Sequence, residues 1–429
     1  MKNVYTIIIF NLMLILNFQS IGQVDIGAEL RPRTEFRQGF NQPLDHSLKA
    51  GFTSLQRTRL NLSYSGGTLN AKITLQDARV FGETTTKQPS SATTGSVGIY
   101  EAWTELLIFP GASFKMGRQG VQFEDGRLFS LSTWSNTGNA HDLMQFVYSS
   151  NLADAELGFA YNNEKVLNAD SSYYGVSKTY KQLAFLHLSK NLMPGLTLSV
   201  LGVDEGAETS LTNLDLYHRY TLGGTLKLKK EKLPFTAFFT GYYQTGKSAA
   251  TVDLTAFLLA LKASCSLTPK IGLTAGVDYL SGSESNIEAS KTNTFNKLPY
   301  GVNHSFYGYM EYWSSLPKGG LVKYAFGPNI KFSKRFSSDI TWYGFSLDKA
   351  MTMASTEVKG SIGSELDVVF NYKVSPMTSI QFAWCGYFAN DHTNLLKFKT
   401  TTVDTKFPQF AYVMFTIKPQ FYKTPAVTN

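Results

Sequence analysis

Residues 24–38 read VDIGAELRPRTEFRQ and residues 51–64 read GFTSLQRTRLNLSY. In the first stretch Asp25, Glu29, Arg31, Arg33, Glu35 and Arg37 share one parity, while Val24, Ile26, Ala28, Leu30 and Phe36 share the other. A period of two belongs to a β-strand, so this segment predicts a strand with one ionic and one oily face. The second stretch repeats the arrangement, with Arg57, Arg59, Asn61 and Ser63 opposite Leu60, Leu62 and Tyr64. Which solvent meets each face decides the fold.

Composition narrows the choice. Charged residues make up 17% of the 429, below the roughly 25% of soluble domains, while aromatics reach 14%. The longest apolar run after the N-terminus, Ala256–Leu261, stops at Lys262, far short of the ~20 residues a membrane helix needs. The net charge is +8, but the Lys and Arg lie at strand parity rather than in runs. That points to a lined cavity and away from nucleic acid. Cys265 and Cys385 sit in apolar strand patterns with no His or Cys at ligand spacing, so free thiols are expected, with no metal site and no cofactor. His46, His141, His187, His218, His304 and His392 form no zinc spacing, and no G-x-S-x-G elbow is present. His141-Asp142 reads as a satisfied pair at a loop end, and no catalytic residue is assigned. The expectation is a protein that is not an enzyme.

At the N-terminus, Lys2, the apolar Val4–Leu16 and Ser20-Ile21-Gly22 read as an export signal over residues 1–22. A single domain is expected over residues 23–429. Along it, strands alternate between short turns and long loops. Short turns are expected at Ser65–Gly67, Pro110–Ala112, Ser150–Leu152, Asn191–Pro194, Lys230–Leu233, Leu267–Lys270, Lys334–Ser338 and Val374–Met377. Long loops are expected at Gly82–Ser96, Gly120–Ala140, Asn163–Thr179, Asp204–Asn213, Gly282–Gly320, Lys349–Gly360 and Asn390–Pro408, with a shorter one at Thr245–Ala250. Lys181–Lys190 and Gln409–Lys418 are apolar on both faces, and Pro328 inside a strand marks a bulge. Asp77 and Arg79 fall out of phase, through a bulge or because the lipid-facing band ends there.

The count is about 18 strands, which predicts an all-β fold: a transmembrane antiparallel up-and-down β-barrel with short periplasmic turns and long extracellular loops. A propeller would repeat every 40–50 residues or so, and no such repeat occurs.

The segments GAELRPRTEFRQGF, SLQRTRLNLSY, ITLQDARVFGE, VGIYEAWTELL and FKMGRQ, and later YGVNHSFYGYMEYW, resemble the alginate-export family of outer-membrane porins, in the form found in Bacteroidetes-type bacteria. The resemblance is concentrated in residues 27–119 and 300–313. It implies a barrel in the Gram-negative outer membrane that passes an anionic uronate polymer through an arginine-rich pore, with periplasmic export proteins as partners.

If the ionic faces line an aqueous lumen, Arg31, Arg33, Arg37, Arg57 and Arg59 form a guanidinium ladder on two adjacent strands, and Lys323 and Lys331 add cations from a later wall. Arg79 and Arg118 join the candidates, although Arg118 has the parity of Phe114 and Met116 and needs a bulge to turn inward. Glu29, Glu35, Glu101, Glu105, Glu365 and Asp367 share lumen parity, so the ladder either selects solute or pairs with acids and braces the wall. Gly282–Gly320 is the candidate lid, with His304, Tyr307, Tyr309 and Glu311 in its second half. Its aromatics either narrow the mouth or only pack the loop. Tyr100 and Trp342 read as interfacial girdle residues. The expected function is an outer-membrane channel for anionic solutes, an alginate-like acidic polysaccharide among them. The alternative is a plugged or narrow barrel acting as a general porin or a surface binding protein.

Overall fold

The computed structural model describes residues 22–82, 97–163, 180–210, 215–229, 234–298 and 300–425. The expected export signal lies outside them but for Gly22. So do the loop at residues 83–96, most of the Asn163–Thr179 loop and the turn at residues 230–233.

Eighteen antiparallel strands close into one barrel. The first nine are β1 (Gln23–Gln38), β2 (Gly51–Gly66), β3 (Leu69–Val80), β4 (Gly98–Phe109), β5 (Ala112–Gln119), β6 (His141–Ser149), β7 (Asp154–Tyr161), β8 (Gln182–Met193) and β9 (Leu196–Glu208). The second nine are β10 (Leu216–Lys229), β11 (Phe235–Ala249), β12 (Val252–Ser266), β13 (Ile271–Leu280), β14 (Leu321–Lys331), β15 (Phe336–Ser346), β16 (Ser361–Ser375), β17 (Thr378–Phe388) and β18 (Gln409–Ile417). Each strand pairs with its neighbours in sequence, and β1 closes the ring by pairing with both β2 and β18. Beyond Pro419 the chain continues along β1 as Gln420–Lys423. Two short helices, α1 (His304–Tyr307) and α2 (Asp391–Phe398), belong to loops.

The two faces meet the solvents that parity assigns. Leu60, Leu62 and Leu226 lie on the outer surface at 43%, 42% and 38% exposure, whereas Arg33 and Arg57 keep 5% and 2%. Phe370 is half-buried on the outer face between Phe336 and Phe382. Closure leaves no free strand edge to face hydrocarbon.

Local expectations are corrected in four places. The β11–β12 connection is a tight turn at residues 250–251, because both strands run further than expected. Pro328 causes no bulge: the β14–β15 register is the same before and after it, and only the pairs at residues 327 and 328 are missing from that ladder. Proline simply lacks the N–H that rung needs. The β2–β3 ladder also runs without a shift through Asp77 and Arg79. Those two keep the outer parity of Ile73 and Leu75. A shift in the β3–β4 ladder between Thr74 and Leu75 lets Tyr100 and Glu101 both turn inward. Tyr100 is therefore buried and donates to the Asn139 carbonyl instead of joining a girdle, while Trp342 does face outward.

The interior of the loop half is not an open tube. Gly120–Ala140 and Gly282–Gly320 fold into it, and Phe123, Leu128, Phe129, Tyr300, Tyr307, Met310, Tyr312 and Trp313 are all buried. They cover an apolar inner wall made by Leu183, Phe185, Leu201, Val203, Leu254, Leu258, Tyr387 and Phe410. This is why the segments around β8 and β18 are oily on both faces: one face meets lipid and the other meets a loop.

Face assignment is directly testable. Leu226→Arg, on the lipid side, is expected to destabilise the barrel by about 2–4 kcal/mol if it sits near the bilayer midplane. Its strand neighbour Lys227→Gln, on the lumen side, should change stability by less than about 0.5 kcal/mol. Denaturant unfolding in phospholipid vesicles compares the two; equal losses would contradict the assignment.

Candidate functional site

The lumen is the candidate site, and it is built outward from β1 and β2. Arg31, Arg33 and Arg37 project inward from β1, with Arg57 and Arg59 beside them on β2, Arg31 standing directly opposite Arg57. Five guanidiniums this close repel one another, so each needs an acceptor. Two carboxylates serve three of them. Glu29 takes Arg57 at 2.6 Å, and Glu35 takes Arg33 at 2.7 Å and Arg37 at 2.5 Å. Glu29 also lies 3.4 Å from Lys418.

The remaining acceptors are the Gln76 side-chain amide oxygen, which takes Arg59 at 2.8 Å, and backbone carbonyls of the Gly120–Ala140 loop. Arg31 donates to the carbonyls of Thr133, Trp134 and Ser135, and Arg33 donates to that of Trp134 at 2.7 Å. Arg57 reaches Thr133 and Ser135 at 3.1 and 2.9 Å, and Arg59 reaches Thr137 at 3.0 Å while stacking 3.6 Å over Tyr100. Arg37, nearer the mouth, stacks 4.2 Å over Phe40. The ladder thus holds a loop against the wall.

The same loop is clamped at its other end. Asp278 on β13 accepts Arg127 of the loop at 2.7 Å and Lys323 of β14 at 2.8 Å. Burial works against the Arg127 charge, but Asp278 and Asp125 beside it hold the guanidinium more firmly protonated than usual. Arg127 also lies 4.0 Å over Phe306, a residue of the second loop, and so joins the two loops. Lys323 is therefore fully engaged, whereas Lys331 is exposed at the turn end and makes no ion pair among the described residues.

The Gly282–Gly320 loop is seated by β16 and β17, three and two strands from β1 around the ring. The backbone N–H groups of Met310 and Tyr309 donate to Glu365 at 2.8 Å and Asp367 at 3.1 Å on β16. Gly308 is at φ +79°, and a Cβ there would overlap the Glu365 carboxylate, so glycine is required for this approach. Tyr312 stacks 3.6 Å from Tyr387, and Trp313 donates to the Tyr387 hydroxyl at 3.0 Å. Trp134 of the first loop packs at 5.0, 5.1 and 4.8 Å against His304, Tyr309 and Tyr412. Arg33 lies 4.1 Å over its ring.

Burial shapes the ionisation of this loop. Desolvation, assisted by the Arg33 charge, lowers His304 to about 3. Desolvation lowers Lys297 to about 7, and it raises Glu311 and pushes Tyr309 to about 12.

Other candidates separate cleanly. Glu101 pairs with Lys72 at 2.5 Å, and Glu105 accepts from Ser113 at 2.6 Å and Asn70 at 3.1 Å, on β4 two strands along from the ladder. Arg118 is not in the lumen. It follows Phe114 and Met116 on the outer face and pairs with Asp142, which follows Met144 and Phe146 there. Arg79 likewise keeps outer parity and pairs with Asp77 at 2.6 Å. His141 turns inward to Tyr180 at 2.9 Å, so His141 and Asp142 are not a pair. Arg127, Asp278, Trp134 and Tyr412 were missed. The available signal was the apolar content of the first loop, with Val121, Phe123, Leu128, Phe129 and Leu131 within eleven residues.

The profile of the alginate export family matches residues 22–316. No curated protein sequence matches the chain. Solved barrels match its shape. Acinetobacter baumannii OccAB4 is 13% identical at a TM-score of 0.59, over 94% of this chain and 100% of its own. Pseudomonas aeruginosa OpdK, solved with vanillate, is 10% identical at 0.61, over 92% and 99%. Pseudomonas aeruginosa OccK2, solved in complex with glucuronate, is 9% identical at 0.61, over 93% and 98%.

Two outcomes test this geometry. Arg57→Ala leaves Glu29 with only its 3.4 Å contact to Lys418 and removes two loop anchors, so a loss of roughly 1–3 kcal/mol is expected, with faster amide exchange concentrated in residues 131–139. A free-loop histidine titrates near 6.5 or so, while docked His304 stays neutral down to about 3. Between those values only the undocked loop takes up the proton, so docking weakens as pH falls, by at most about 1.4 kcal/mol per unit. Glu311 carries the opposite sign, so the comparison is with His304→Gln. Protease nicking of the loop below about pH 6.5 should rise in wild type relative to that variant, and parallel pH profiles would contradict the assignment.

Proposed function

The chain belongs to the alginate export family of outer-membrane channels, and from that premise we propose that its lumen passes anionic solutes, acidic polysaccharides of the alginate kind among them. The reading rests on the charge around β1 and β2. Five guanidiniums there meet two carboxylates, and their other partners are neutral carbonyls. A carbonyl orients a guanidinium without cancelling its charge, so the wall keeps a positive field that attracts anions and matches carboxylates. That OpdK and OccK2 were solved with vanillate and glucuronate, both carboxylates, supports the same solute class. In this reading Arg31, Arg33, Arg37, Arg57, Arg59 and Lys331 supply the field, and Lys323 is spent on Asp278. Passage of a polymer brings periplasmic export proteins in as partners.

The seated aromatic loops favour a second reading, a narrow or plugged barrel acting as a general porin or binding surface. Tyr307, Tyr312 and Trp313 are almost fully buried inside the wall.

Reversal potentials across planar bilayers in a salt gradient separate these readings. Anion selectivity is expected, and Arg31→Gln with Arg59→Gln should reduce the anion-to-cation ratio by a factor of roughly two to five. Neither arginine has a carboxylate partner to strand. Cation selectivity of the wild type would overturn the proposal. A sharp rise in conductance on shortening the loop within residues 284–316 would establish the plugged state.

A further inference from the structure

Among the described residues, Arg31, Arg57, Arg59, Arg127, Arg219 and Lys323 are engaged deep in the barrel by loop carbonyls or by acids such as Glu29, Glu205 and Asp278. The periplasmic turn end differs. Two adjoining cavities of about 800 and 580 Å³ open there and share Lys331. The larger is lined by Lys331, Lys334, Arg335, Lys373 and Lys418, and the smaller adds Lys270; neither lining contains an Asp or Glu. Lys418 has the 3.4 Å contact to Glu29, and the other five make no ion pair among the described residues. The carboxylate of Asp339, further in on the same wall, is turned to the amides of Asn329 and Asn371 at 2.6 and 3.0 Å.

Three features define the occupant. Lys331, Lys373 and Lys418 have lumen parity, and the outer face beside them is Tyr372, Ile380 and Phe415. The charges therefore meet what is inside the barrel rather than a protein docked on its rim. Ser337, Asn371, Ser379, Gln381 and Thr416 stand between the cations and offer the hydroxyl and amide partners that sugars use. The three lysines sit on alternate strands or their extensions, so neighbouring ones are at least two strand spacings, about 10 Å, apart. One carboxylate cannot meet all three across the roughly 20 Å they span; a chain carrying a carboxylate on each ring can.

We propose that this collar is a second anion site, separate from the arginine wall, that binds a linear polycarboxylate saccharide in preference to its monomer. It rests on the reading that the lumen takes acidic saccharides. Several weak contacts on one chain multiply into avidity, and neutralising clustered lysines makes the binding salt-dependent.

The test is equilibrium binding of a fluorescent six-residue oligouronate to the full-length barrel in detergent micelles, with monomeric glucuronate as competitor. The oligomer is expected to bind at least about 100-fold tighter than the monomer. Lys331→Gln with Lys373→Gln should weaken it at least tenfold or so, while Lys331→Arg with Lys373→Arg keeps it. Equal affinity of oligomer and monomer would overturn the collar, and so would wild-type binding by the Gln pair or an equal loss in the Arg pair. Any of these in an anion-selective channel removes the collar and leaves the channel reading standing. A cation-selective wild type removes the channel reading itself. Heat-modifiable migration on gels confirms that each variant is folded.

Discussion

Everything in this molecule depends on the ladder between β1 and β18, where Arg33 to Gln38 pair in register with Met414 to Gln409. Hydrocarbon offers no hydrogen bonds, so a sheet can sit in it only if its first and last strands satisfy each other. Closure then makes every strand a partition between two solvents. A one-residue slip would put the arginines of β1 in lipid and Leu30 and Phe36 in the lumen, so register is enforced along the whole strand. Eighteen strands also enclose more space than wall side chains can fill. The loop half of that space is taken by two segments of the chain itself.

Filling the barrel with loops creates a second problem, because loop backbone brings carbonyls and amides into a low-dielectric place. The wall answers each kind with its opposite. Guanidiniums on β1 and β2 receive the carbonyls of residues 133–137, and carboxylates on β16 receive the amides of Tyr309 and Met310. The ionic residues of the wall are thus matched to polar backbone as much as to one another. At the turn end Lys270, Lys331, Lys334 and Lys373 make no ion pair among the described residues.

How much of this the sequence carried follows from what strand parity encodes. Parity maps a residue directly to a face, so the ionic lumen side of β1, β2 and β14 was legible, as were Leu60, Leu226 and the strand count. Parity fails where a ladder shifts, and Tyr100 turned inward through such a shift between Thr74 and Leu75. It also held where resemblance argued otherwise: Arg118 stayed outside with Met116. Apolar inner faces such as Leu183, Leu201 and Leu258 were unreadable, because their covering comes from loops that are not their strand neighbours. Length and aromatics mark Gly282–Gly320 as a lid, yet Gly120–Ala140, which binds more of the ladder, reads in sequence as one long loop among several. Its contacts run through backbone carbonyls, which every residue has and no side-chain pattern reports.

Selecting solute and bracing the wall are alternatives for the arginines only if the brace cancels their charge. A brace made of carboxylates removes charge: each Arg–Glu contact is close to neutral from a distance. A brace made of carbonyls does not, because the attraction is to a dipole whose own field fades faster than that of the charge. At an effective dielectric of about 20, an uncancelled guanidinium still acts on an anion roughly 8 Å away with about 2 kcal/mol. Glu29 and Glu35 relieve the crowding of five guanidiniums, and the loop carbonyls hold the rest in place. Carbonyl bracing is therefore the arrangement by which one ladder can fix a loop and still present positive charge to the lumen. Replacing Trp134 or Ser135 would leave that charge intact, since their side chains are not the acceptors; adding a carboxylate there would cancel it.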